Sequence, residues 1–375
     1  MIFKGGRVFT GEKFEKVDVR TEDGKIAEIG AELSAKAGEE IVELGENLLV
    51  PGFIDLHTHG CIGYDFSTAN AEEIDKMCAF YFSRGITSVA GRLVRMVYHD
   101  YKKAAAPIGE YMESVKNHNL IGINMEGPFL SVEKKGAHDP QYIIDASQEK
   151  MDELNDLAKG HFLIVDVAPE HPGAMEFIRK NSKDFVISVA HTAADYEKAM
   201  EAFRAGATEV THLFNAMNGL GHRDPGVPGA AFEAGANVEM ICDGIHIHPT
   251  VMKMVYRMYG EHLMVISDSM SAAGLQDGEY VLGGLPVFVR DGKATLESGT
   301  IAGSTTDMLK EMGVWMEQCG LSMEEILPCM TIHQAKAVHM EDRIGSIETG
   351  KAADLVIISP EREIKAVYKN GTKKV

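Results

Sequence analysis

The chain has 375 residues, 45% of them apolar and 25% charged, and carries a formal net charge of −19. These proportions are typical of a globular protein, and the apolar runs are far shorter than the roughly 18 residues that cross a bilayer, so no membrane span is expected. Such a surplus of acidic groups repels a phosphate backbone, which excludes nucleic acid as a partner.

The chain length predicts more than one domain, and the cysteines indicate the reducing cytoplasm. A single hydrophobic core usually stops growing below about 300 residues, so we expect one large domain and one smaller domain. The N-terminus, MIFKGGRVFT, lacks the apolar stretch and cleavage site of a secretory signal. The five cysteines have no CxxC spacing, which favours reduced thiols over disulfides or a zinc knuckle.

Both ends of the chain show the pattern of short antiparallel strands. Residues 3–30, FKGGRVFTGEKFEKVDVRTEDGKIAEIG, alternate apolar and polar positions between glycine-containing turns. Residues 345–375 repeat this pattern, with breaks at Gly and Pro. We therefore predict a small β-sandwich domain built from residues 1–50 plus 345–375.

The middle of the chain, residues 51–344, is dominated by eight apolar runs, most of which end in a polar residue or glycine. The first run begins just before this segment. In order, the runs are LLVPGFIDLHTH, ITSVAGRL, LIGINMEGP, FLIVDVAPE, FVISVAHT, EVTHLFN, VEMICDG and HLMVISDS. Helix-compatible stretches such as residues 71–85 and 195–207 separate them and are long enough for right-handed crossovers. This repetition predicts a (β/α)8 TIM-like barrel.

An open doubly wound parallel sheet is the alternative architecture for these repeats. No GxGxxG follows the early strands, which weakens that alternative. After the eighth run, residues 275–303 alternate and turn at Gly283–Gly284 and at Asp291–Gly292. This segment predicts a β-hairpin excursion from the barrel.

The residues that close the apolar runs are rich in metal-ligand types. In a parallel barrel the C-terminal ends of the strands meet in one mouth, where catalytic groups lie. A single histidine here would more often be a hydrogen-bonded residue at a strand edge, but a whole set favours a metal site. Imidazole and carboxylate ligands suit Zn, Fe, Mn or Co, and an incomplete set leaves a position for water, as catalytic sites do. The set comprises His57, His59, Glu126, His191, His212 and Asp268.

A series of motifs surrounds these residues: PGFIDLHTHG, MEGPF, GAHDP, AHTAA, THLFNAMNGLGHRDPGVPGAA, DGIHIHP, SDSMSAAG and IAGS. Together they resemble the N-acetylglucosamine-6-phosphate deacetylases of the amidohydrolase superfamily. HTHG alone indicates an amidohydrolase, whereas MEGPF with THLFNAM and DGIHIHP is specific to this branch. The resemblance extends from about residue 50 to 305, and the terminal β segments fit the superfamily's small domain.

The resemblance implies a catalytic divalent metal on Glu126, His191 and His212. The HxH pair, here His57 and His59, supplies a second ion in some members of the family, so one or two ions per subunit are implied. Zinc is the foremost candidate, with Fe, Mn or Co as alternatives. Many binuclear amidohydrolases bridge their ions with a carboxylated lysine on strand four, but the fourth run contains no lysine. If there are two ions, Glu126 is therefore the expected bridge.

The resemblance also implies hydrolysis of the acetamide of N-acetylglucosamine 6-phosphate to glucosamine 6-phosphate and acetate, in amino-sugar catabolism. Metal coordination lowers the pKa of water from about 15.7 towards 7. Asp268 is the implied general base and then general acid, although an aspartate that closes a strand is often a helix N-cap. His138 of the GAH motif is expected to contact the substrate and stabilise the oxyanion, and His246 of DGxH to contact the substrate.

The family's sugar-phosphate contacts fall on four further positions. These are Asn215 and Ala216 of the NAM motif, Ala302 of the IAGS motif, and Arg223. A planar guanidinium suits the geometry of phosphate. In the family this arginine reaches across from the neighbouring subunit, so the resemblance implies a homodimer.

Three other functions stay open. An N-acetylgalactosamine-6-phosphate deacetylase acts on a substrate that differs at one hydroxyl. A cyclic amidase such as dihydroorotase would share HxH and the terminal aspartate, but MEGPF and the missing strand-four lysine argue against it. A non-catalytic scaffold should have lost ligands, and here all the candidate positions are intact.

Overall fold

The computed structural model describes residues 1–94 and 97–375. Its strands, in chain order, are β1 (Ile2–Lys4), β2 (Arg7–Phe9), β3 (Phe14–Glu15), β4 (Asp18–Glu22), β5 (Lys25–Gly30), β6 (Ile41–Glu43), β7 (Leu48–Pro51), β8 (Phe53–Thr58), β9 (Gly60–Cys61), β10 (Tyr64–Asp65), β11 (Ile86–Val94), β12 (Leu120–Glu126), β13 (Phe162–Val167), β14 (Val186–Val189), β15 (Glu209–Val210), β16 (Asn237–Ile241), β17 (Leu263–Ile266), β18 (Gly278–Leu282), β19 (Leu285–Arg290), β20 (Lys293–Thr295), β21 (Leu355–Ile358), β22 (Ile364–Lys369) and β23 (Thr372–Lys373).

The α-helices are α1 (Ala71–Ser83), α2 (Tyr98–Ser114), α3 (Gln148–Leu157), α4 (Ala174–Asn181), α5 (Tyr196–Ala205), α6 (Gly226–Ala234), α7 (Pro249–Tyr259), α8 (Met308–Val314), α9 (Met323–Ile326) and α10 (Ile332–Ala337). Short 3-10 turns lie at Pro140–Tyr142, Gly260–His262 and Leu327–Met330, and a π turn, Trp315–Cys319, continues α8. Within the described ranges, no helix is both long and apolar enough to cross a membrane.

Eight parallel strands, β8 and β11 to β17, pair in sequence order and form the barrel. Two hydrogen bonds join the first and last strands at their C-terminal ends: the Asp268 amide donates to the His57 carbonyl over 2.9 Å, and the His59 amide donates to the Ser269 carbonyl over 2.8 Å. Every residue of β8 and β11 is buried, which explains why these strands read as apolar runs and not as alternating ones. The predicted barrel is confirmed.

Helix α1, between the first two barrel strands β8 and β11, illustrates how the crossovers form. The Asn70 side chain caps α1 by accepting hydrogen bonds from the amides of Glu72 and Glu73, and the Glu73 carboxylate accepts a hydrogen bond from the Asn70 amide. This capping box fixes the start of the helix. The side chains that α1 buries recur at helical spacing and pack into the barrel core: Ile74, Met77, Cys78, Tyr81 and Phe82.

Strands from both chain ends form two further sheets, in the orders β5-β4-β1-β6 and β23-β22-β21-β7-β2-β3. In the second sheet β7 pairs with β2 and with β21, so the N-terminal and C-terminal segments share one sheet. Residues of both sheets form one hydrophobic core that includes Phe3, Val19, Leu49, Leu355 and Tyr368. This packing confirms a small β domain built from both termini, whereas its predicted limits, 1–50 plus 345–375, stay a prediction.

The hairpin excursion forms an antiparallel sheet of β18, β19 and β20. Its turns lie at Gly283–Gly284 and Asp291–Gly292, as the sequence predicts. One face of the sheet packs its buried Leu282 and Val287 against Val94 of the second barrel strand and Ala302. The excursion thus builds one wall of the barrel mouth.

Candidate active site

The C-terminal mouth of the barrel holds a cavity of about 440 Å³. Most of the residues predicted for the site line it: His59, Glu126, His138, His191, His212, Asn215, Ala216, His246, Asp268 and Ala302. His57 does not line the cavity because it is completely buried below it. Barrel closure has therefore brought together residues from six different strand ends.

Glu126, the last residue of β12, lies at the centre of the site. Its Oε1 lies 2.6 Å from His191 Nε2 and 3.5 Å from His212 Nε2. Its Oε2 lies 3.3 Å from His59 Nε2 and 4.0 Å from His57 Nε2. The two carboxylate oxygens thus face two different histidine pairs.

Asp268 faces the HxH pair from the last barrel strand. Its Oδ1 lies 3.1 Å from His57 Nε2 and 3.0 Å from His59 Nε2. The i, i+2 spacing of the two histidines puts both rings on the same side of β8, as predicted. The pair therefore reaches one carboxylate oxygen together.

The arrangement of these atoms fits a metal ion better than hydrogen bonds alone. Two groups bring one ligand atom per residue within 4.8 Å of one another: His57, His59 and Glu126, and Glu126, His191 and His212. His191 Nε2 and His212 Nε2 lie only 3.1 Å apart, although both rings face the same carboxylate oxygen. Among the described residues, His57 Nε2 and Asp268 Oδ1 are buried without a well-aligned hydrogen-bond partner. Buried imidazole and carboxylate groups that converge in this way suit a divalent cation.

Contacts behind the rings orient two of the histidines. His57 Nδ1 lies 2.7 Å from Glu239 Oε2, and His191 Nδ1 lies 3.0 Å from the carbonyl of Lys134. With the proton on Nδ1, each ring donates to its oxygen and leaves the Nε2 lone pair directed at the site. This is the tautomer that binds metal.

The electrostatic field around the HxH pair favours a positive charge. Burial and Arg92 disfavour the protonated ring, but Glu239 and Asp268 outweigh them and raise the pKa of His57 to about 10. Burial likewise disfavours the ionised form of Asp268, but His57 and His59 hold the pKa of its carboxyl well below the usual range. Asp268 is therefore a carboxylate, the form in which it can accept a proton.

The structure adds a buried arginine that the sequence analysis missed. Arg92 Nε donates to Glu126 Oε2 over 2.9 Å, and Nη2 donates to Asp166. Burial opposes ionisation of Glu126, but the charge of Arg92 and hydrogen bonds from His138 and His191 hold its pKa well below the usual range. The signal was present in the sequence, since Arg92 and Asp166 are charged residues within apolar runs.

Three ligand-type residues at strand ends have left-handed backbone conformations. The φ angles of His191, His212 and Asp268 are +42°, +31° and +48°. Non-glycine residues adopt this region rarely, and such strain concentrates at functional sites. The turn it produces directs these side chains into the barrel mouth.

His138 and His246 both line the cavity. His138 Nε2 lies 3.4 Å from Glu126 Oε1. His246 is oriented by Asp243, whose Oδ2 lies 2.8 Å from His246 Nδ1 while its Oδ1 accepts the Ile245 and His246 amides. These bonds direct the Nε2 edge of His246 away from Asp243, and the residue lines the cavity. Asp243 is a further residue that the sequence analysis did not identify.

Arg223 lies apart from these residues. It is exposed, its Nη1 lies 2.6 Å from His222 Nε2, and it does not line the cavity of its own subunit. By contrast, Asn215 and Ala216 line that cavity, and Asn215 Nδ2 donates to the His212 carbonyl over 3.1 Å. Arg223 is thus the one predicted substrate contact that a single subunit does not bring to its own site.

A parallel barrel with clustered His and Glu side chains at its mouth, able to hold a metal ion, and an aspartate just after the last strand is typical of a metal-dependent hydrolase. Residues 48–374 match the amidohydrolase family. The chain is 35% identical to the N-acetylglucosamine-6-phosphate deacetylase of Bacillus subtilis over 91% of this chain and 88% of that protein. Its identity to the Vibrio furnissii protein of the same name is 30%, over 98% and 94%.

Solved structures of N-acetylglucosamine-6-phosphate deacetylases are also similar to this chain. The N-acetylglucosamine-6-phosphate deacetylase of Pasteurella multocida superposes with a TM-score of 0.94 at 28% identity, over 99% of this chain and 98% of that one. A variant of the Mycobacterium smegmatis enzyme, in complex with N-acetyl-D-glucosamine-6-phosphate, superposes with a TM-score of 0.93 at 30% identity, over 100% and 99%. The chain belongs to the amidohydrolase family and is a metal-dependent hydrolytic enzyme.

Proposed function

We propose that the enzyme hydrolyses the acetamide of N-acetylglucosamine 6-phosphate to glucosamine 6-phosphate and acetate, in amino-sugar catabolism. The observation that carries this proposal is the pair of ligand groups that share Glu126, with the Asp268 carboxylate facing the same space. The names of the relatives support the choice of substrate.

We propose Glu126, His191 and His212 as ligands of the catalytic ion, and His57 and His59 as ligands of a second one. Zinc is the proposed metal, with Fe, Mn or Co as alternatives, because imidazole and carboxylate suit all four. When bound, such an ion would lower the pKa of water and polarise the acetamide carbonyl.

Asp268 and His138 perform the proton and charge chemistry in this proposal. The Asp268 carboxylate accepts a proton from the water that attacks the carbonyl carbon, and then returns it to the nitrogen so that the sugar leaves as a neutral amine. His138 lines the cavity beside Glu126, where a ring N–H can donate to the oxyanion of the tetrahedral intermediate.

A deacetylation assay on four sugars tests the proposal: the 6-phosphates of N-acetylglucosamine and N-acetylgalactosamine, and both sugars without phosphate. We expect kcat/KM to be highest for N-acetylglucosamine 6-phosphate. Loss of the phosphate should lower kcat/KM by about 10- to 100-fold, since one hydrogen bond to a charged group contributes about 1.5–3 kcal/mol. Equal activity on phosphorylated and unphosphorylated sugars would contradict the proposed substrate class.

The galactosamine epimer is the second candidate substrate. The N-acetylgalactosamine-6-phosphate deacetylase of Escherichia coli O157:H7 is 29% identical over 99% of this chain and 98% of that protein. The two substrates differ at one hydroxyl, so the assay above separates them directly. A higher kcat/KM for the galactosamine compound would reassign the substrate and keep the chemistry.

We propose that Arg223 binds the substrate phosphate of a neighbouring subunit in a homodimer. Its exposure and its separation from its own cavity support this role. The surrounding segments expose apolar side chains that a second copy would cover. These are Leu220, Phe232, Ile245 and Met254, which are 40% to 52% exposed.

Mixing two impaired variants, one with a raised KM and one with a lowered kcat, tests whether Arg223 acts across subunits. Arg223→Ala alone should raise KM for the 6-phosphate sugar by about 10- to 100-fold with little change in kcat, because a charge-assisted contact to the phosphate is lost. In a mixed dimer of Arg223→Ala and Asp268→Asn, one site contains both an intact Asp268 and the arginine of the other chain. Steady-state kinetics of the mixture should therefore recover low-KM activity; a mixture without recovery would contradict the assignment.

Asp243→Asn should raise KM for the 6-phosphate sugar about 10-fold and leave kcat within about twofold. The amide no longer holds the His246 ring in its tautomer and orientation, which weakens substrate binding without touching the reacting carbonyl. Asp184→Asn, an exposed change between α4 and β14 that does not line the cavity, is the control in steady-state kinetics. An equal loss of kcat in Asp243→Asn and in the control variant, or an unchanged KM for Asp243→Asn, would argue against this positioning role.

We also propose that the enzyme acts in the cytoplasm. Five buried cysteines with free thiols support a reducing compartment. Fractionation of the producing cell with an antibody to this chain tests the location.

A further inference from the structure

Arg92 is a buried cation next to both ligand groups. The side chain is 0% exposed and lies two residues before the end of β11. Its Nε donates to Glu126 over 2.9 Å and its Nη2 donates to Asp166, which in turn accepts the Thr211 hydroxyl over 2.9 Å. This chain of bonds fixes the position of the guanidinium relative to Glu126.

The two oxygens of Glu126 have different surroundings as a result. Oε1 lies 2.6 Å from His191 Nε2, and the hydrogen bonds of Arg92 do not include it. Oε2 lies 3.3 Å from His59 Nε2 but also 2.9 Å from Arg92 Nε. An ion on the HxH pair would therefore share its carboxylate oxygen with a guanidinium, whereas an ion on the later histidines would not.

We propose that Arg92 makes the two metal positions unequal in affinity. Its hydrogen bond uses one lone pair of Oε2. Its charge also offsets part of the attraction that Glu239 and Asp268 exert on a cation at the HxH pair. The ion on Glu126, His191 and His212 therefore binds first and more tightly, and Arg92 is a positioning residue that sets the occupancy of the second ion. The inference rests on the proposed metal ligands and is independent of the substrate.

Zinc titration of the metal-depleted full chain, in competition with a chelating indicator, tests the proposal. The wild type should bind two ions, the second at least about 10-fold more weakly than the first. Arg92→Gln keeps a donor but removes the charge, so the second ion should gain about 10- to 100-fold in affinity relative to the first, the range typical of groups behind metal ligands. Arg92→Lys keeps the charge and should keep the gap. Arg257→Gln, an exposed arginine on α7, should behave as the wild type.

Several results would overturn the proposal. They are equal affinities of the two ions in the wild type, an unchanged ratio in Arg92→Gln, a single ion in both of these proteins, or a closed gap in Arg92→Lys. If Arg92→Gln does not fold, the wild-type ratio and Arg92→Lys decide the matter. Because the readout is metal binding, a failure to release acetate would contradict the proposed function and leave this inference standing.

Discussion

Asp268→Asn should lower kcat for acetate release from N-acetylglucosamine 6-phosphate by about 10²- to 10⁴-fold, the usual contribution of a general acid–base group. An amide cannot accept the proton of the attacking water or return it to the leaving nitrogen. The ion on Glu126, His191 and His212 should remain, because the ligand atoms of that group do not include Asp268. Single-turnover kinetics and metal analysis of the same preparation give both quantities.

Asp156→Asn is the matched control, since Asp156 is exposed on α3 and does not line the cavity. Its kcat and metal content should equal those of the wild type. Near wild-type turnover in Asp268→Asn would remove this residue from the mechanism. Loss of all metal in that variant would instead make it a ligand of the tighter site.

Glu126→Gln should lose both stoichiometric metal binding and activity. The carboxylate belongs to both ligand groups, so its replacement takes a charged ligand from each position at once. The substitution also takes one of two carboxylate partners from buried Arg92 and leaves only Asp166, which lowers the stability of the fold. We expect less than about one ion in ten subunits and a fall in kcat of at least about 10³-fold, since metal activation of water is lost.

The readouts for Glu126→Gln are metal content by mass spectrometry and thermal unfolding of the purified protein. Glu233→Gln, an exposed change at the end of α6, controls for the loss of a carboxylate elsewhere. A folded Glu126→Gln protein that retains two ions would contradict the role of this residue as the shared ligand.

The barrel could be predicted because its inner strands carry their own signal. Strands buried on both faces read as continuous apolar runs, and each run ends where a polar residue enters the mouth. His57 and His59 lie two residues apart, so their convergence follows from strand geometry alone. The likeness of the motifs to a known family then supplied the roles of the individual residues.

The residues behind the ligands could not be assigned in the same way. Arg92, Asp166 and Glu239 each lie within an apolar run, and the sequence does not state which strands their side chains face across the lumen. Only the register of the closed barrel brings Arg92 to Glu126 and Glu239 to His57. A charged residue inside a fully buried strand is nevertheless a usable signal, because such a group needs a partner.

The placement of Arg223 could not be predicted from the sequence for a different reason. The motif located this residue, but a single subunit leaves it exposed and outside its own cavity. A contact made by a second copy of the chain depends on how two surfaces meet, which neither local pattern nor barrel topology specifies.

In the proposed function, metal held at the barrel mouth drives deacetylation of N-acetylglucosamine 6-phosphate. The most direct test is acetate release by metal-depleted protein as zinc is added back and bound ions are counted. We predict no turnover without metal, and activity that rises with the first ion bound per subunit. Full turnover by metal-free protein, or no acetate from the fully loaded enzyme, would contradict the proposed function.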